Sequence, residues 1–418
     1  MISTVVLPIG GKGKRMKSFS SKNKLINELN GKPLIDYSLE KIASAKIKKV
    51  IIISSKISKE VEYHCENKCK KLNISLTILN EKNLKGNFGG LIENRFSLPD
   101  EFLVVYPDLV WACDIEKIFQ HHKRSQSLLT LVVRRSDHPE DSDNLKLCPL
   151  MKVKEVYSKV RKSKKIGYEL NDLLSATGIY IMNKKFFENI NLDKYQLNDE
   201  VDLFETLEIN FAINFMQISA YITSEYIKDC GTPSRYSQVS KDLKNDVVYS
   251  SSYSQKQKVL FLDRDGTLIN NKKNLYITTP QEVTLNKNIV NLYRDFTSRN
   301  YIPIVVTNQP QISHGDLCLE DLDKIHCKIQ DLLIRNNLKR IFQFIFCPHH
   351  PHSNFKGEIE YLKQICFCRK PEIGMFYIAK RYINIDLRKS IMVGDSIRDE
   401  EFAKNCGIKF IPVNQIKY

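Results

Sequence analysis

The stretch Val259-Leu260-Phe261-Leu262-Asp263-Arg264-Asp265-Gly266-Thr267-Leu268 decides how the second half of the chain is read. Four consecutive apolar residues read as a short strand, and the run stops abruptly on a carboxylate. In an open α/β sheet the C-terminal ends of the strands face the ligand crevice, so Asp263 is placed where a ligand would sit. Asp265 follows two residues later and therefore falls on the same side. Gly266 lets the chain leave the strand without crowding that crevice.

Outward from this strand the rhythm is α/β. Ile302 to Val306 and Ile391 to Val393 read as further strands downstream. Upstream, residues 244–257 lapse into Asn245-Asp246, Ser250-Ser251-Ser252-Tyr253-Ser254 and Gln255-Lys256-Gln257, a polar stretch expected to be a linker. Before it, Ser3–Leu7, Val50–Ser54, Phe102–Tyr106 and Leu128–Val133 read as strands and Pro33–Ala45 as a helix. Strands separated by helices imply a parallel sheet. A chain of 418 residues exceeds one ordinary core. The expected organisation is a domain over 1–243, a linker over 244–257 and a second domain over 258–418.

Composition narrows the class. With 42% hydrophobic and 27% charged residues the chain reads as globular, and no run of 18 apolar residues is present to span a membrane. The apolar start Val5-Val6-Leu7 meets Gly10-Gly11-Lys12 too early for a signal peptide, so a cytoplasmic location is expected. The net charge of +16 comes from lysines spread over both halves, so it does not call for nucleic acid. Of the eleven cysteines, Cys65, Cys69, Cys113, Cys148, Cys318, Cys327 and Cys406 are scattered and read as reduced thiols. Cys347-Pro348-His349 and Cys366-Phe367-Cys368 differ. Together they supply three thiolates and one imidazole, a closed tetrahedral set suited to a structural Zn²⁺ with Cys347, His349, Cys366 and Cys368 as ligands. His350 and His352 are expected outside that set.

Asp263-Arg264-Asp265-Gly266-Thr267-Leu268 resembles the first motif of haloacid-dehalogenase (HAD)-type phosphatases, and the remaining motifs follow in family order. The resemblance implies a Rossmannoid phosphatase that forms an aspartyl phosphate on Asp263, with Asp265 as acid and base. Thr307 in Thr307-Asn308-Gln309 would hydrogen-bond the phosphoryl group. Lys370 in Arg369-Lys370-Pro371 would neutralise it, with Arg369 beside it. Asp395 in Val393-Gly394-Asp395-Ser396 would bind Mg²⁺ with Asp263 and the Asp265 carbonyl, and Asp399 would orient the loop. The Cys-x-Cys-Arg-Lys-Pro junction is similar to that of heptose 1,7-bisphosphate phosphatases and histidinol phosphatases. Pro310 and Gln311 depart from the small residues usual after Thr-Asn-Gln.

The N-terminal half carries Gly10-Gly11-Lys12-Gly13-Lys14-Arg15 after its first strand, then Lys24 and Asn30-Gly31-Lys32-Pro33. A glycine-rich basic loop can lay backbone N–H groups and cations against phosphate oxygens. In this order, the motifs resemble sugar-phosphate nucleotidylyltransferases, which have a Rossmann-like, GT-A-like fold. Further matches are Gly86-Asn87-Phe88-Gly89-Gly90, Tyr106-Pro107-Asp108, Gly178-Ile179-Tyr180 and Asp229-Cys230-Gly231-Thr232-Pro233. The resemblance implies that Gly10, Gly11, Gly13, Arg15 and Lys24 bind triphosphate, and that Gly86, Asn87 and Gly89 hold the base. It also implies that Lys159 and Gly178 meet the sugar phosphate, and that Asp108 and Asp229 hold Mg²⁺. Pro8, Lys14, Asn23, Pro107 and Val160 depart from the family pattern.

The two resemblances together imply one pathway. Removing the 7-phosphate of heptose 1,7-bisphosphate leaves heptose 1-phosphate, an acceptor for a nucleotidyl group. GTP is implied as donor by that pathway; no residue in the sequence reads the base. Three alternatives stand beside this reading: another sugar or nucleotide in the first domain, another small phosphate ester in the second, or a degenerate N-terminal binding module.

Overall fold

The computed structural model describes residues 2–9, 23–55, 57–84, 86–135, 142–147, 153–159, 173–191, 194–196, 199–210, 217–271, 276–352 and 356–416. The chain divides into two compact units, Met1–Ser252 and Tyr253–Tyr418.

The N-terminal unit is built on a nine-stranded sheet. Thr4–Pro8 lies at its centre, parallel to Lys49–Ser54 on one side and Glu101–Val105 on the other, with Ser75–Asn80 parallel beyond. Val5, Val6, Leu7, Val50 and Ile52 are fully buried, as strands covered by helices on both faces require. The helices Leu34–Ser44 and Lys59–Lys71 make these crossovers. Past Glu101–Val105 the expectation of a parallel sheet fails. Leu174–Asn183 runs antiparallel to Glu101–Val105, Leu129–Arg134 and Asn144–Leu147, and Val153–Tyr157 runs antiparallel to Asn144–Leu147. Among the described residues no helix separates Leu129–Arg134, Asn144–Leu147 and Val153–Tyr157. Parallel pairing needs a long crossover, so these strands take antiparallel partners, and Leu129–Arg134 gains a parallel one only from the later strand Ile218–Ile222. A separate antiparallel ribbon joins Leu109–Trp111 to Ile227–Asp229.

Part of the stretch 244–257, expected as a linker, is structured. The helix Pro233–Lys244, capped by the Thr232 hydroxyl, is followed by a short helix Val247–Ser250. Val248 is buried with Leu29, Leu34, Tyr226 and Val239, and Ser251 Oγ accepts from the Tyr226 amide at 3.0 Å. One buried apolar residue inside a polar run anchors the segment, and composition alone does not show it.

The C-terminal unit holds five parallel strands in the order Gln343–Cys347, Ile302–Asn308, Val259–Leu262, Ile391–Gly394, Lys409–Pro412. The chain fills one side of Val259–Leu262 first and then returns to its other side. The switch point therefore falls between Val259–Leu262 and Ile391–Gly394, whose C-terminal ends are followed directly by Asp263 and Asp395.

Candidate active sites

Asp263 leaves the central strand and donates its amide to the Val393 carbonyl at 3.0 Å, which fixes the two strand ends side by side. One carboxylate oxygen from each of Asp263, Asp395 and Asp399 lies within 4.8 Å of the others. Three carboxylates so close repel unless cations hold them. Lys370 supplies one charge: its ammonium lies 2.5 Å from Asp263 Oδ1 and 2.5 Å from Asp399 Oδ1, with the side chain only 3% exposed. Asn308 holds the Lys370 backbone, accepting from its amide at 2.9 Å and donating to its carbonyl at 3.1 Å. Burial pushes the Asp263 carboxyl up to about 7; Lys370 opposes this, while Asp399 and Asp265 reinforce it. Burial also raises Asp395. Hard carboxylate oxygens that still repel one another suit Mg²⁺.

The other expected residues converge here. Thr307 lies buried one residue before the end of the strand Ile302–Asn308, with its hydroxyl accepting from Gln309 Nε2 at 2.9 Å. Gln309 Nε2 also donates to Asp265 Oδ2 at 2.8 Å. Gly266 adopts φ +80°, and a Cβ there would stand 2.0 Å from Asp395 Oδ2, so a side chain would displace that carboxylate. Arg369 donates to the His349 carbonyl at 3.0 Å, linking the site to the cysteine loop.

In that loop Cys347 Sγ lies 3.4 Å from Cys366 Sγ and 3.3 Å from Cys368 Sγ, and Cys366 and Cys368 are 3.3 Å apart. His349 Nδ1 is 3.2 Å from Cys368 Sγ and 3.6 Å from Cys347 Sγ. These separations are far beyond a disulfide bond and close to the edges of a tetrahedron around zinc. Hydrogen bonding from Cys347 brings the Cys368 thiol down to about 5, against its burial, while the bond to Cys368 raises Cys347 and burial raises Cys366. The donor set fits Zn²⁺.

In the N-terminal unit Gly10, Gly11, Gly13 and Arg15 lie outside the described residues. Lys24 Nζ is 2.6 Å from Asp108 Oδ2. The antiparallel ribbon sets Asp229 opposite Leu109, and the Cys230 amide donates to the Asp108 carbonyl at 2.9 Å. Asp108 and Asp229 thus share one end of the ribbon. Asp229 also receives Arg235 Nη1 at 3.0 Å and the Gly231 amide at 2.9 Å. The expected base-holding glycine loop is different in form. Gly86 and Asn87 open the helix Gly86–Glu93, Asn87 bridges Asp202 Oδ2 (2.5 Å) and the Leu203 amide (2.9 Å), and Gly89 is buried in that helix. A Cβ at Gly86 would stand 2.5 Å from the Val201 carbonyl oxygen, so this glycine answers a close backbone approach. The Gly178 carbonyl accepts from the Tyr106 amide at 3.0 Å, which sets it beside the strand leading to Asp108. Lys159 pairs with Asp143, at 3.3 Å.

Residues 4–246 match the nucleotidyl transferase family. The chain belongs to that family. Residues 258–415 match the polynucleotide kinase 3 phosphatase family. The C-terminal half is 30% identical over 154 residues to the D-glycero-beta-D-manno-heptose-1,7-bisphosphate 7-phosphatase of Escherichia coli K12, covering 36% of this chain and 77% of that protein. The Haemophilus ducreyi phosphatase of the same name is 32% identical, covering 37% of this chain and 80% of its own. The C-terminal unit belongs to this phosphatase family. Among solved structures, HddC from Yersinia pseudotuberculosis aligns over 58% of this chain and 100% of its own, at 21% identity and a TM-score of 0.46. UDP-glucose pyrophosphorylase from Acinetobacter baumanii aligns over 60% and 96%, at 16% identity and a TM-score of 0.45. The chain is an enzyme with both nucleotidyltransferase and phosphatase activity.

Several residues of the phosphatase site are missing from the sequence reading. Gln309 and Asn308 were seen only as companions of Thr307, yet they hold Asp265 and Lys370. Asp399 lies in the charge cluster itself, beyond the loop-orienting role expected of it, although it does accept from Ser396 Oγ at 2.7 Å. In the nucleotidyl transferase unit the sequence reading lacks Arg235, six residues beyond Asp229 in the first turn of the helix Pro233–Lys244. A cation a few residues after a candidate metal ligand was the available signal.

Proposed function

We propose that the chain carries out two successive steps in making a nucleotide-activated heptose. The C-terminal unit removes the 7-phosphate of D-glycero-D-manno-heptose 1,7-bisphosphate. The N-terminal unit then transfers a nucleotidyl group, GMP from GTP, to heptose 1-phosphate and releases pyrophosphate. The observation that carries the reading is the Lys370-bridged cluster of Asp263, Asp395 and Asp399 beside a three-cysteine, one-histidine set, in a chain whose other half is a nucleotidyl transferase. The relatives of the phosphatase half act, by name, on the heptose bisphosphate, and the product is a sugar 1-phosphate of the kind the other half would accept.

In the phosphatase, Asp263 attacks phosphorus, Lys370 neutralises the equatorial oxygens and holds the nucleophile, and Thr307 donates to the phosphoryl group. Asp265 protonates the leaving alkoxide and then takes a proton from water. Asp263, Asp395 and the Asp265 carbonyl would hold Mg²⁺, which supplies further charge neutralisation. Cys347, His349, Cys366 and Cys368 would hold a structural Zn²⁺. In the transferase no protein nucleophile is needed; Lys24 positions the triphosphate, and Asp108 and Asp229 would hold the Mg²⁺ that shields it. Substrates of this kind are small anions, consistent with a basic chain acting in the cytoplasm without nucleic acid. Among the described residues no helix is long and apolar enough to cross a membrane.

The test is a panel of GTP, ATP, CTP and UTP with the α- and β-anomers of heptose 1-phosphate, following pyrophosphate, alongside phosphate release from the bisphosphate. Pyrophosphate with GTP and a heptose 1-phosphate supports the reading. No pyrophosphate with any pair would leave the first unit a binding module.

A further inference from the structure

Arg264 is a fully buried arginine set between the two catalytic aspartates in sequence, and nothing above gives it work. Its side chain is 0% exposed. Its guanidinium grips Asp265 from one side: Nε lies 3.2 Å from Oδ1 and 3.1 Å from Oδ2, and Nη2 lies 3.1 Å from Oδ1 and 3.0 Å from Oδ2. Gln309, itself fully buried, holds Oδ2 from the other side at 2.8 Å and ties it to Thr307 Oγ1. Among the described residues Asp265 is the one carboxylate paired with Arg264. Burying a guanidinium is costly, and one carboxylate that is 22% exposed returns only part of that cost. Arg264 Nη1 and Gln309 Oε1 are also buried without a hydrogen-bond partner among the described residues. A hydrophobic side chain would fill the same space more cheaply, so the arrangement is poor as stability and specific as placement.

We infer that Arg264 and Gln309 are positioning residues that hold the Asp265 carboxyl in place for proton transfer to the leaving oxygen. The inference rests on the phosphatase reading above. In the first half-reaction an Asp263 oxygen bonds to phosphorus, the phosphorus–alkoxide bond breaks, and the departing oxygen takes the proton from Asp265. The fork of Arg264 and the amide of Gln309 fix both oxygens of that carboxyl relative to the leaving oxygen. Asp263 and Lys370 are untouched. An alkoxide leaves with difficulty and needs that proton; a dinitrophenolate leaves without it.

The experiment compares kcat/KM, which reports steps up to the aspartyl phosphate, for D-glycero-D-manno-heptose 1,7-bisphosphate and for 2,4-dinitrophenyl phosphate. It uses the full chain with Arg264→Met, Gln309→Met and the control Asp263→Asn. The expected result is a fall of about 10²-fold for the sugar phosphate in Arg264→Met with at most a few-fold change for the aryl ester, and in Gln309→Met, which also removes the contact to Thr307, a larger fall for the sugar phosphate than for the aryl ester. A parallel fall on both esters, or no fall on either, in whichever variant keeps the wild-type melting profile, overturns the inference. Retained turnover in Asp263→Asn would instead overturn the phosphatase reading on which it rests.

Discussion

Lys370 Nζ lies 2.5 Å from Asp263 Oδ1 although the two residues are 107 positions apart. The same ammonium lies 2.5 Å from Asp399 Oδ1, so one buried cation anchors both Asp263 and the first turn of the helix Ile397–Cys406 that follows Asp395. Removing the charge leaves carboxylates facing one another without water, a loss that reaches chemistry as well as folding.

Asp263→Asn is therefore expected to abolish phosphate release while pyrophosphate release stays at the wild-type rate. The two sites are built from separate sheets in separate compact units. Lys370→Met should cost phosphatase at least 10²-fold, since it removes an oriented transition-state charge. Loss of both activities in a folded Asp263→Asn protein would show that the sites are not independent.

The nucleotidyl transferase unit makes the complementary prediction. Asp108→Asn or Asp229→Asn should lower pyrophosphate release by about 10²–10³-fold, because each leaves triphosphate charge uncompensated. Asp108 sits 2.6 Å from Lys24, so Asp108→Asn also frees a cation and should weaken Mg²⁺ dependence more than nucleotide binding. Wild-type turnover in either variant, measured with saturating Mg²⁺, would remove that aspartate from the site.

Magnesium binding should depend on pH with a defined sign. Burial holds the Asp263 carboxyl at about 7 in the metal-free protein, so below that pH it is mostly protonated. Mg²⁺ needs the carboxylate and must displace the proton. Apparent affinity should fall by up to about tenfold per pH unit below 7 and level off above it. Burial raises Asp395 in the same direction, which can only steepen the slope. Calorimetric titration in buffers of different ionisation enthalpy would count the protons released. A flat affinity from pH 5.5 to 8 contradicts the assignment of Asp263 as a ligand.

How much of this was legible in the sequence depended on whether a feature is local. Val259–Leu262 runs over the expected residues because four apolar positions ending on Asp263 leave little freedom. The motif positions Thr307 and Asp395 share one edge because they lie at strand ends in a parallel sheet, and Lys370 reaches that edge from a turn held by Asn308. The antiparallel strand Leu174–Asn183 was read only at Gly178–Tyr180, since its pairing with Glu101–Val105 and Leu129–Arg134 is set by distant partners. Arg264 carries no signal in the sequence beyond its place in the motif, because burial of a guanidinium is a tertiary fact. Asn87 reads as a base-holding loop residue, and in the structure it opens the helix Gly86–Glu93 with its amide bridging Asp202 and the Leu203 amide.

The cysteine loop carries the last prediction. Cys347 ends the edge strand Gln343–Cys347, His349 lies two residues on, and Cys366 and Cys368 return just before Lys370. Four soft and borderline donors within tetrahedral reach of one another, with Cys368 drawn down to about 5, should bind one zinc per chain. Arg369 ties the loop to the site by donating to the His349 carbonyl at 3.0 Å, and Lys370 follows it directly. A loop freed from its metal would place the Lys370 charge loosely, and misplacement by an ångström can cost about 10²-fold. Cys366→Ser and Cys368→Ser should thus lower zinc content and phosphatase rate together. Nucleotidyl transfer and the Mg²⁺ requirement should change little, because no zinc donor belongs to the aspartate cluster. Elemental analysis of the purified protein, before and after dialysis against a chelator, decides it. Phosphatase activity that survives intact with zinc removed would show that the loop orders itself without metal.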